Sequence, residues 1–166
     1  MRDFFTMENI RPQTRKLTFS ALIAAAYFVI MFATQGFAFG PYQIRLATAI
    51  YALSYPFPFL ILPLGLANSL SNMLGGFGML DIAGGFLVGI VTAGLVALVR
   101  KTGLPKVFVI PPIILAPGLI VPLWLSPLTG YPYWALVASI SIGQTVPAIL
   151  GYILIQALSK RKVAGQ

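Results

Sequence analysis

Arg45 and Asp81 are the only charged residues between Lys16 and Arg100, and they sit in an otherwise apolar stretch. A charge in such surroundings costs several kcal/mol unless it is paired, hydrated or bound to something, so these two side chains are the first place to look for a binding site. The segment that holds them reads F-G-P-Y-Q-I-R over 39–45, N-S-L-S-N over 68–72, then G-G-F-G and D-I-A-G-G. Asn68 and Asn72 lie four residues apart, which puts both amides on one helix face. Two amides, a carboxylate and a guanidinium facing one cavity would hydrogen-bond a small polar ligand. Tyr42 and Gln43, with the rings of Phe37 and Phe39 beside them, belong to a Gly-Pro-rich loop able to lay a ring on a flat molecule. Gln144 is the strongly polar residue inside the last apolar run and completes the candidate set.

Each candidate also has a purely structural reading. Asn68 and Asn72 could join helices, at about 0.6 kcal/mol per contact. Asp81 fits the N-cap of a helix starting at L-D-I-A-G-G, and Arg45 could pair with it. The loop aromatics and Trp134 also suit interface anchors. Other chemistries are excluded more firmly. With no His, no Cys and one acid in the apolar region, the chain lacks the usual ligands of a transition metal and the pairs needed for acid-base or nucleophilic catalysis. No G-x-x-x-x-G-K-[ST] occurs. The expectation is a non-enzyme that binds no cofactor of its own.

The elements that must position these residues follow from composition. Of 166 residues, 58% are hydrophobic and 8% charged, against about 25% charged in soluble domains. The expected class is an all-α integral membrane protein forming one domain. The net charge of +8 does not point to nucleic acid, because Arg2, Arg11, Arg15, Lys16, Arg100, Lys101, Lys106, Lys160, Arg161 and Lys162 all flank apolar runs. They read as topology signals.

Residues 1–16 form a cytoplasmic lead-in, 17–160 the membrane domain and 161–166 a cytoplasmic tail. Leu17 to Ala33 is too long for a signal-peptide core and is followed by further apolar segments, although Gly36-Phe37-Ala38 resembles a cleavage site. Counting Leu17 to Ala33, Arg45 to Tyr55, Phe57 to Met73, Asp81 to Val99, Val107 to Leu125 and Trp134 to Leu158 as six transmembrane helices puts every basic cluster on the cytoplasmic side, with both termini. The loops 35–44, 74–80 and 126–132 then face outward, and Arg45 and Asp81 share the outer end. Ala21 and Ala25 give the first helix a small-residue face, and Gly84, Gly85, Gly89 and Ala93 give the fourth another; internal packing is the default for both.

F-G-P-x-Q-x-R, N-x-L-x-N-x-x-G-G and G-x-x-D followed by glycines together resemble the QueT family, the substrate-binding (S) components of energy-coupling factor (ECF) transporters. The resemblance spans roughly residues 18–160. It implies an S-component-like six-helix bundle in the cytoplasmic membrane, capturing a vitamin-like substrate from outside. It also implies partners: a transmembrane coupling protein, reached through a small-residue helix face such as Ala21 and Ala25, and two ATPase subunits that use ATP to tip the bundle. QueT-like proteins are associated with queuosine precursors, which are 7-deazaguanine bases. Asp81 would accept from the N–H and amino edge of such a base, while Asn or Gln reads its carbonyl and Tyr42 or a loop Phe stacks on it. Gln144 departs from the acid expected there in many relatives, which leaves the base and its charge open. The alternatives are an S component for another vitamin, a stand-alone small transporter and a ligand-free membrane scaffold.

Overall fold

The computed structural model describes residues 12–40 and 42–164. Among them there are helices and no strand. The order is α1 (Pro12–Ala33), the short α2 (Gln35–Ala38), a 3₁₀ helix (Leu46–Ser54), a 3₁₀ turn (Pro58–Leu60) leading into α3 (Ile61–Asn72), α4 (Met79–Lys101), a 3₁₀ turn (Lys106–Val109) leading into α5 (Ile110–Ile120), α6 (Pro122–Thr129) and α7 (Tyr133–Ala164). Four stretches are long and apolar enough to cross a membrane: Gln13–Ala33, Met79–Lys101, Lys106–Thr129 and Tyr133–Lys160.

Between α1 and α4 lie two shorter columns. At about 2.0 Å per residue the 3₁₀ helix is only ~18 Å long, and α3 at 1.5 Å per residue is about as long. Seven of the nine 3₁₀ residues are buried. Such a segment at membrane depth must be enclosed by protein, and here α1, α4 and α7 enclose it. Its thinner cross-section suits the space, because its backbone runs close against α7: a Cβ added at Gly151 would lie 2.9 Å from the Ala49 carbonyl oxygen and from the Ala52 Cβ.

Several contacts gather the basic residues at one end. The Lys16 ammonium lies 5.8 Å from the Phe59 ring centroid, and Phe19 meets Phe57 and Phe59 edge-on at 5.2 and 6.2 Å. Arg100 Nη1 donates to the carbonyls of Pro56 and Tyr55 at 2.8 and 3.3 Å. Ile155 and Leu158 of α7 share a cleft with Tyr55, Phe57 and Arg100. The start of α1, the 55–59 turn and the C-terminal ends of α4 and α7 thus lie together, and α2 and the α3–α4 connection lie at the other end.

The structure corrects some expectations. Residues 35–38 form a helical turn rather than loop, because Phe37 and Ala38 donate back to the Thr34 carbonyl. The segment expected as loop from 126 stays helical to Thr129, where Gly130 at φ +76° ends it. The second helix is 3₁₀, and the fifth column breaks at Val121 between Pro117 and Pro122. The last helix continues through most of the expected tail, to Ala164. Most of the expected lead-in, 1–11, lies outside the described residues. The small residues of α4 do pack internally: a Cβ on Gly89 would sit 2.8 Å from Gly65 Cα, so α3 and α4 touch backbone to backbone. Ala21 and Ala25 do not, as both are exposed on α1.

Candidate substrate site

Arg45 precedes the 3₁₀ helix and Asn68 and Asn72 line the inward face of α3, so the N-x-x-x-N spacing brings both amides to one guanidinium. Arg45 Nη1 donates to Asn72 Oδ1 at 2.8 Å and to Asn68 Oδ1 at 3.4 Å. The Arg45 guanidinium also lies 4.9 Å from the centroid of Phe39, a cation–π distance. Both amides are held from their far sides. Asn68 Nδ2 donates to the Gly85 carbonyl at 2.7 Å, and Asn72 Nδ2 donates to the Asp81 carbonyl at 2.8 Å. Tyr27 of α1 donates its hydroxyl to Asn68 Oδ1 at 3.0 Å and faces the Tyr51 hydroxyl at 3.4 Å.

Asp81 is neither a helix cap nor the partner of Arg45. Gly78 is the N-cap of α4, and Asp81 stands in its first turn. No Arg45–Asp81 hydrogen bond forms, because Asn72 stands between the guanidinium and the Asp81 backbone. The carboxylate instead accepts from Trp124 Nε1 on α6 at 2.9 Å through Oδ1. Arg45 and Asp81 are 5% and 1% exposed. Arg45 Nε and Asp81 Oδ2 are buried without a hydrogen-bond partner. One orphan donor on a buried cation and one orphan acceptor on a buried anion are costly and call for an explanation.

A second polar group closes the other side. Gln144 Nε2 donates to the Gln43 carbonyl at 3.1 Å, and Thr48 Oγ1 donates to Gln144 Oε1 at 2.7 Å and lies 2.7 Å from the Arg45 carbonyl. Gln43 adopts φ +45°, unusual for a residue with a side chain. Gly143 makes this docking possible, since a Cβ there would collide with the Tyr42 carbonyl oxygen.

Gln43, Arg45, Thr48, Asn68 and Gln144 surround only about 10 Å³ of free space, room for no more than a water. Gln43 also lines a cleft of about 510 Å³, together with Phe39, Phe77, Leu125, Tyr131 and Ser139. That volume falls in the range of ligand pockets. Six of the seven candidates, Gln43, Arg45, Asn68, Asn72, Asp81 and Gln144, are therefore buried in one cluster. Tyr42 is 56% exposed and lines neither space; Phe39 is the loop ring that meets Arg45. Trp124, Tyr27 and Thr48 belong to the cluster although the sequence reading passed them over. The signal available for Trp124 was its indole N–H, which needs an acceptor when buried, with one carboxylate in the apolar region to supply it.

No curated protein and no solved structure matches the chain. A family model described as QueT transporter matches residues 17–160. With that match over nearly its whole length and four apolar helices long enough to span a bilayer, the chain is a multi-pass membrane protein that belongs to the QueT transporter family.

Proposed function

We propose that the chain is the substrate-capture subunit of an ATP-driven ECF importer and takes up a queuosine precursor, a 7-deazaguanine base, from outside the cell. Six crossings with both termini cytoplasmic would place the 510 Å³ cleft at the outer face. ATP is used by two partner ATPases, acting through a coupling protein that docks on the exposed Ala21 and Ala25 of α1.

The observation that carries the reading is the pair of orphan atoms, Arg45 Nε and Asp81 Oδ2. A guanine-type edge offers what they lack: a carbonyl that accepts from a guanidinium, and N–H and amino groups that donate to a carboxylate. The base enters the cleft beside Phe39 and Tyr131, and displacement of Gln43 joins the cleft to the cluster beneath it.

The test is the thermal stability of the detergent-purified chain with 7-deazaguanines, guanine, riboflavin, thiamine, folate and biotin. A ligand at a hundredfold excess over its Kd adds about 2.7 kcal/mol if it binds only the folded chain. Stabilisation is expected with deazaguanines and is weakened at least tenfold in affinity by Asp81→Asn. Equal binding by Asp81→Asn would sink the contact, and stabilisation by another vitamin alone would reassign the substrate.

A further inference from the structure

A cleft of about 500 Å³ opens at the basic end of the bundle, away from the substrate cluster. Pro58, Ile61, Gly94 and Ala97 form its floor and Arg100 and Lys101 its rim. A Cβ added at Gly94 would meet nothing within 4 Å, so the slot is open down to the α4 backbone. Leu98, 48% exposed, also lines it, so it lies on a face suited to lipid.

Among the described residues the rim charges have no counter-ion. Asp81 is the only carboxylate among the described residues, and it sits in the first turn of α4, ~30 Å along the helix from Lys101. Arg100 uses Nη1 on the Tyr55 and Pro56 carbonyls, which leaves other N–H groups of its five-donor fork. An apolar slot with an uncompensated cationic rim at a membrane boundary matches one kind of molecule.

We propose that this cleft binds an anionic phospholipid, with the phosphate on Arg100 and Lys101 and an acyl chain along Gly94 and Ala97. Phosphate gains charge-assisted hydrogen bonds there, and the hydrocarbon covers a floor that offers no polar side chain.

The test is native mass spectrometry of the full chain in detergent, titrated with phosphatidylglycerol and with phosphatidylcholine of the same acyl chains. The parent should retain phosphatidylglycerol preferentially. Lys101→Gln should weaken that retention about fivefold, the effect of one basic residue near an anionic surface. Gly94→Leu should abolish it by filling the slot, without lowering the melting temperature, because Leu is the better helix former. Equal retention of the two lipids overturns the proposal. So does phosphatidylglycerol binding unchanged in both variants, the result expected if the lipid sits elsewhere on the bundle. Thermal protection by inorganic phosphate equal to that by phosphatidylglycerol would overturn it too.

Discussion

Arg45 and Asp81 carry opposite charges into the same apolar bundle, yet each is held by neutral groups: the guanidinium by two amides and a ring, the carboxylate by one indole. Neutral partners orient a charge without cancelling it, which suits a site that must pass that charge to a ligand. Trp124→Phe removes the one donor to Asp81 Oδ1 and leaves both carboxylate oxygens unpartnered, which should destabilise the chain by about 1–3 kcal/mol. Asp81→Asn should relieve much of that penalty. A double-mutant cycle by denaturant unfolding is therefore expected to show a coupling of about 0.5–3 kcal/mol, and strict additivity would refute the contact. The charged residues were legible in the sequence because a lone charge in an apolar run is conspicuous. Trp124 was not, since an indole among Leu and Pro looks like any lipid-facing ring until the fold brings it to Asp81.

Among the elements, the N-x-x-x-N spacing on α3 was readable because helical periodicity alone puts the two amides on one face. The 3₁₀ form of Leu46–Ser54 was not. L-A-T-A-I-Y-A-L-S has ordinary α-helical composition, and its narrower winding answers to the crowding around it. The outer loop depends on α7 in the same tertiary way, through Gly143 beneath Tyr42 and Gln144 on the Gln43 carbonyl. Gly143→Ala places a methyl group against a backbone carbonyl and should cost about 1–3 kcal/mol. Amide hydrogen exchange over Gln43–Thr48 should accelerate as the loop lifts from α7. Gly94→Ala, on an open face, is the control expected to leave both stability and exchange unharmed. Unchanged exchange in Gly143→Ala would mean that α7 does not hold the loop.

At the scale of the whole molecule, Lys16, Arg100, Lys101 and Lys160 share one end of the bundle, and the cleft lined by Phe39, Gln43 and Tyr131 opens at the other. Positive charge favours the cytoplasmic side, and under the proposed six crossings the ligand entrance would lie outside and both termini inside. That arrangement requires the two short columns, Leu46–Ser54 and Pro58–Asn72, to count as crossings although each is shorter than a straight span. The chain contains no cysteine, which makes single-cysteine labelling clean. Thr102→Cys and Lys160→Cys, both at exposed positions, should react with a membrane-impermeant maleimide only after the cells are opened. Gly36→Cys, at an exposed position at the other end, should react in intact cells. Labelling of positions 102 and 160 from opposite sides would break the six-crossing arrangement. Labelling of both from outside would mean that residues 45–73 cross once if position 36 still reacts in intact cells, and would invert the bundle, turning the substrate entrance toward the cytoplasm, if position 36 reacts only in opened cells.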